Sequence, residues 1–160
     1  MTQDDIIQFA AALPGVAVET ASQASGAPEV AWGDSFIYFD TEPDLPPDRR
    51  FPFATIVTKD YPGWDEFSDL SRDGVFRLNI NVGRGRFQDL IGYPPAQFAS
   101  HQAAPDYRAL DTVLPHPTYG QQAWISVVCP GPRTSDLART LITEARDHLA
   151  DRAKNLENSF

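Results

Sequence analysis

Residues 74–82, GVFRLNINV, constrain the fold more than any other stretch of the chain. Phe76, Leu78, Ile80 and Val82 alternate with Arg77, Asn79 and Asn81. That period of two sends successive side chains to opposite faces of a strand. One face is apolar and has to be covered. The other carries a guanidinium and two amides, spaced about 7 Å apart along the strand. A chain with this strand needs a sheet packed against something on one side only.

Four further strands are predicted: Val16–Thr20, Ser35–Asp40, Phe53–Lys59 and Ala123–Cys129. Each is rich in β-branched or aromatic residues and is bounded by Gly, Pro or Asp. A helix is predicted over about 3–13, with Thr2 as N-cap, Asp4 and Asp5 in its first turn, and Ile6, Phe9, Ala10 and Leu13 as its buried stripe. Pro14-Gly15 ends it. The last helix is predicted over about 135–154, capped by Thr134. Leu137, Leu141, Ala145 and Leu149 form an i, i+4 row with Leu156 near its end. Shorter helical pieces are expected over 86–91, after Pro95, over 106–114, and as one turn among the acids of 65–73. The prolines of 43–52 predict a stiffened loop that could act as a flap, and LPHPTYG predicts another loop.

Strands come in runs rather than alternating with long helices. The expectation is therefore α+β: an antiparallel β-sheet of about five strands with the N- and C-terminal helices packed on one face, and the opposite face open or covered only by loops. The length, 160 residues, fits one domain over 1–154 with a frayed tail at 155–160. The hydrophobic share of 42% is enough for a core.

Charge excludes several classes of function. The net charge of −9 argues against a duplex-binding domain and against a polybasic membrane-surface protein. Residues 1–73 hold 14 carboxylates against 4 cations, an ordinary acidic surface or a site for a cationic partner. The start MTQDDIIQF lacks the basic-then-apolar order of a signal peptide, and no apolar run reaches membrane length, so a cytoplasmic location is expected. The single cysteine, Cys129, rules out an internal disulfide and a CxxC pair. Its place on the Ile125 and Val127 face predicts a buried hydrophobe.

The candidate site is the open sheet face. Arg77, Asn79 and Asn81 share it with Trp124 and Ser126 of the last strand. Trp32, Lys59, His116 and Tyr119 are the nearby residues expected to complete a binding surface. Arg77 would pair with an anionic group, the amides would orient it, and the indoles would offer stacking area. The alternative is an enzyme with His116 as general base, since Pro115 and Pro117 restrict the backbone around that imidazole. A further alternative is an interaction protein that dimerises through the aromatic face and binds no small ligand. The expected partner is thus a small molecule or a protein, with the chain a monomer or homodimer, and no cofactor or metal is implied.

Weaker signals read as ordinary structure. Gly83-Arg84-Gly85-Arg86 could hold an anion, yet Gln88 stands where a dinucleotide motif has its third glycine. His148 follows Glu144 at helical spacing and predicts a surface pair, and His101 falls in a polar loop. Asp34, Asp40, Asp60 and Asp65 lie near strand ends, where they could meet around a cation or stay solvated. No GxSxG or HExxH is present.

PEVAWGD (28–34), RRFPFATIV (49–57), TKDYPG (58–63), FRLNI (76–80), GYPP (92–95) and LPHP (114–117) together resemble a bacterial, mainly actinobacterial, family known only as a domain of unknown function. The likeness spans about residues 2–153 and implies no activity. A looser likeness is to the MmcQ/YjbR-like proteins. It rests on ALPGV (12–16), the strand after Trp32-Gly33, and the late aromatic strand before a long helix. It implies an α-β-α sandwich with an antiparallel sheet and, in some members, DNA binding, which the charge balance opposes.

Overall fold

The computed structural model describes residues 1–39 and 50–159. Most of the proline-rich loop expected at 43–52, and Asp40, lie outside the described residues. Helix α1 (Gln3–Ala11) opens on a capping box: Thr2 Oγ1 accepts from Asp5 N–H at 3.0 Å, and Asp5 accepts from Thr2 N–H at 2.8 Å. The chain then reverses at Gly15. Its φ of +77° suits glycine, and a Cβ there would come within 2.7 Å of the Phe39 ring.

Strands β1 (Val16–Thr20), β2 (Ser35–Phe39), β3 (Ala54–Val57), β4 (Arg77–Asn81), β5 (Val113–Pro115) and β6 (Trp124–Val128) form one antiparallel sheet in the order β1-β2-β3-β4-β6-β5. The sheet has six strands where the sequence predicts about five. The extra strand is β5, drawn from a segment expected to be helix and loop. Pro115 disfavours helical backbone in the residue before it and has no N–H for a second neighbour, so the segment suits a sheet edge. The expected helix over 106–114 is likewise replaced, by a bridge from Leu110 to Val128 followed by β5. Residues 65–73 form turns rather than a helical turn.

The apolar face of β4 behaves as its alternation dictates. Leu78 and Ile80 are fully buried with Ile37, Ala54, Ile56, Ile125 and Val127, beneath Ile6 and Ala10 of α1 and Ala138, Leu141, Ile142 and Ala145 of α4 (Ser135–Glu157). Helix α4 runs to Glu157, past the expected end, and Leu156 is solvent-exposed rather than part of the buried row. No described helix is long and apolar enough to cross a membrane.

Thr134 stands at the N-cap of α4 but does not cap it through its own side chain. Its hydroxyl donates to Asp111, whose carboxylate also accepts from the N–H groups of Gly131, Arg133 and Thr134. These bonds, the Thr134 hydroxyl first, hold the Asp111 carboxyl down at about 2. A folded-state value below the unfolded one means the contribution is complete above about pH 4 and is lost as pH falls toward 2. Asp111→Asn is expected to lower the melting temperature at neutral pH and to flatten this acid limb. Thermal melts of both proteins across that range check it.

Candidate functional site

The polar face of β4 is not open over its first residues. Arg77 and Asn79 are each 1% exposed, covered by residues 58–73 and by the turn after β5. Arg77 is held at both ends of its guanidinium. Nε donates to Asn79 Oδ1 (2.8 Å), Nη1 to Asp65 Oδ1 (3.2 Å) and Ser68 Oγ (2.8 Å), and Nη2 to Asp65 Oδ2 (2.5 Å). Asn79 Nδ2 passes the network to Thr55 Oγ1 on β3, its register neighbour (3.0 Å). Asp65 is placed by a tight turn in which it bridges back to Tyr61. The guanidinium fork that the sequence offers to an anionic ligand holds a carboxylate of the chain itself, Asp65. Sequence alternation placed Arg77 on this face correctly, but it carries no sign of what a loop lays over it.

Arg77 Nη2 also faces His116 Nε2 at 3.4 Å, so the imidazole does reach the polar face. Its other nitrogen decides its chemistry. Nδ1 accepts from the backbone N–H groups of Thr118 and Tyr119, both at 3.0 Å. Backbone amides only donate, so the neutral ring carries its hydrogen on Nε2. The approach of Arg77 is then one donor facing another, not a hydrogen bond. Burial, and next the Arg77 charge, push the His116 pKa well below 6.5. The lone pair a general base needs is engaged in the turn, and this geometry does not support the His116 enzyme reading.

Four rings continue outward from this network. His116 lies 4.9 Å from Tyr119 and 6.4 Å from Trp124, centroid to centroid; Tyr119 meets Trp64 at 5.8 Å, and Trp64 meets Tyr61 at 5.7 Å. Trp64 and Tyr119 are 52% and 38% exposed, so the outer pair is presented to solvent. The turn carrying Tyr119 is seated by Gly120, where a Cβ would come within 2.4 Å of the Phe98 ring. Sequence reasoning named His116, Tyr119 and Trp124 but missed Trp64 and Tyr61. The signal for them was DYPGW, a Pro-Gly turn flanked by aromatics.

The remaining candidates sit elsewhere. Asn81 is exposed beside Trp124 in the β4–β6 register, and its Oδ1 accepts from Gly83 N–H. Lys59 and Trp32 form a separate clasp: Lys59 Nζ donates to the Trp32 carbonyl and reaches buried Asp34 at 3.5 Å, while Trp32 Nε1 donates to the Ala27 carbonyl. Asp34 also accepts from Thr58 and from the Tyr61 hydroxyl, which links the clasp to the ring row. Burial, and then Asp34, raise the Tyr61 pKa. Asp34, Asp60 and Asp65 each have their own donors, and no group of three metal-ligating side chains occurs among the described residues.

Gly83-Arg84-Gly85-Arg86 opens α2 (Arg84–Ile91). Arg86 pairs there with Glu144 at 3.1 Å, and the expected Glu144–His148 pair is not among the ion pairs of the described residues. His101 ends the short helix α3 (Phe98–His101) and stacks on Tyr93 at 4.1 Å instead of lying free in a loop. Cys129 is half-buried against the core, with its thiol toward the Gly74 and Phe76 carbonyls. It borders a cavity of about 540 Å³ that also involves residues 1–4 and shares no residue with the ring row.

A family model described as a family of unknown function (DUF6194) matches residues 1–158. No curated protein and no solved structure matches the chain.

Proposed function

We propose that this chain, which belongs to the DUF6194 family of unknown function, works as a binding module whose contact surface is the exposed ring pair Trp64 and Tyr119, joined through His116 to the half-buried Trp124. One observation carries the reading. Two large aromatic side chains stand in solvent while the turns that bear them are fixed from below by a buried network. A rigid exposed aromatic loses little side-chain freedom when a partner covers it, which is why such residues dominate binding energies. The favoured ligand presents a flat or apolar group to the rings, as a polar small molecule or as a protein side chain. Asn81, exposed beside Trp124, offers an amide at the rim. An anion held by Arg77 would have to displace Asp65 and fits less well.

The test is a fragment and peptide screen read by amide and indole NMR shifts on labelled protein. Ligands are expected to move the Trp64 and Trp124 indole signals and the Tyr119 amide. Trp64→Ala and Tyr119→Ala should each weaken a shared ligand about tenfold or more, roughly 1.4 kcal/mol. Their melting temperatures should stay near that of the parent, because exposed rings contribute little to folding. Shifts gathering at the cavity beside Cys129, or unchanged affinity in both variants, would overturn the reading. A concentration-dependent dimer whose contact survives both substitutions would do the same.

A further inference from the structure

Resting on the reading of the ring row as the contact surface, we propose that His116 is a proton-sensitive pin: protonation of Nδ1 releases the Thr118–Tyr119 turn and takes Tyr119 out of the surface. The geometry sets the conflict. Nδ1 accepts from both N–H groups of that turn. A proton taken from solvent turns it from acceptor to donor, and two partly buried amides lose their partner at once. The ring also gains a full positive charge 3.4 Å from the Arg77 guanidinium.

Among the described residues, the surroundings supply no free counter-charge for the cation. From β4 the facing charge is Arg77 itself. From residues 58–73 it is Asp65, whose two oxygens are both held by Arg77. From its own turn the titratable neighbour is Tyr119, whose hydroxyl is kept neutral by burial and by Asp65. The face of β6 toward the ring offers Trp124, which carries no charge. After α3, Gln102 binds the Pro117 carbonyl through a neutral amide.

The turn does hold an acceptor in reserve. Thr118 Oγ1 is buried with no hydrogen-bond partner among the described residues, two residues along from the imidazole. A buried orphan oxygen is costly in the neutral state, and it is suited to receive an Nδ1–H once the turn rearranges. Rearrangement stays local, because the His116 N–H to Trp124 carbonyl bond (2.9 Å) and the Gly120 N–H to His116 carbonyl bond (3.0 Å) do not involve the ring. The sign follows from a folded-state pKa depressed below 6.5. The turn is fully held above that pH and is loosened as pH falls below it.

The experiment uses the full chain between pH 7.5 and 4.5. It follows the His116 ring nitrogens, the exchange of the Thr118 and Tyr119 amides, and far-UV circular dichroism. Expected are an Nε2–H tautomer at pH 7.5, then a reversible step below pH 6.5. In that step the two amides exchange at least tenfold faster while the circular dichroism is retained. His116→Asn keeps an oxygen where Nδ1 stood and cannot titrate, so the step should vanish. Thr118→Val removes the reserve acceptor and should move the step to lower pH.

An Nδ1–H tautomer at pH 7.5 would overturn the proposal. So would a ring that stays neutral until the protein unfolds, or a step that persists in His116→Asn. The wild-type ring titration decides the matter even if a variant fails to fold. None of these readouts needs a ligand: a screen with no binder at the rings sinks the contact-surface reading alone. A ligand whose affinity is unchanged across the step sinks the regulatory role alone.

Discussion

Asp65→Ala is expected to cost about 3–5 kcal/mol of folding stability, the range for stranding one member of a buried ion pair. Arg77 is 1% exposed, and among the described residues Asp65 is its one carboxylate partner, bound through both oxygens. Without it the guanidinium keeps Asn79 and Ser68 but has no counter-charge. Residues 58–73 would also lose their main tie to the sheet, so Trp64 would lose its fixed place. Urea unfolding measures the loss, and Trp64 fluorescence reports the loop. Replacing both partners, Asp65→Leu with Arg77→Met, should recover most of the stability, because no charge is then left buried. Recovery should be incomplete, since Asn79 and Ser68 lose a donor. A cost below about 1 kcal/mol for Asp65→Ala would mean that the pair behaves as a solvated surface bridge.

Phe87→Ala should have a comparable effect for a different reason, about 3–5 kcal/mol from lost burial and the cavity left behind. Helix α2 has eight residues, follows an N-cap, Gly83, that makes no side-chain cap, and has Phe87 as its one fully buried residue. A helix that short does not hold itself together in water. It persists because Phe87 sits in the core and meets Tyr93 at 5.9 Å. The expected result is faster amide exchange over residues 84–91, with α4 still protected. Uniform loss of protection across the sheet would instead assign Phe87 to the central core rather than to the docking of one helix.

Much of the scaffold was legible because it rests on local rules. The alternation of GVFRLNINV fixed both faces of β4, and Leu78 and Ile80 are buried as it requires. The terminal helices followed from Thr2, from Pro14-Gly15 and from the i, i+4 leucines, with the first cap formed as its residues dictate. β1 matches its predicted limits, and β6 runs Trp124–Val128 inside the 123–129 segment. The errors fall where a segment takes its conformation from a distant neighbour. Residues 106–114 have helix-compatible spacing, yet Leu110 and Val113 pair with β6, and no pattern within the segment announces that partner. Thr134 is a good cap by type, yet Asp111, far back along the chain, uses its hydroxyl.

The site divides in the same way. Sequence alone determined which side chains share the polar face, since a strand's pleat is a property of its own backbone. It put Arg77 and Asn79 on one face of the sheet and the core on the other, while the approach of His116 and Tyr119 to that face is a tertiary outcome. Tertiary structure decided what those groups are able to do. Asp65 arrives from a loop twelve residues earlier and occupies Arg77. The turn after β5 binds the Nδ1 of His116. Trp64 folds in beside Tyr119 to make the exposed pair. Hydrogen-bond partners and burial depend on distances between segments that the chain sets only by closing on itself, and the availability of a charge or a lone pair depends on both.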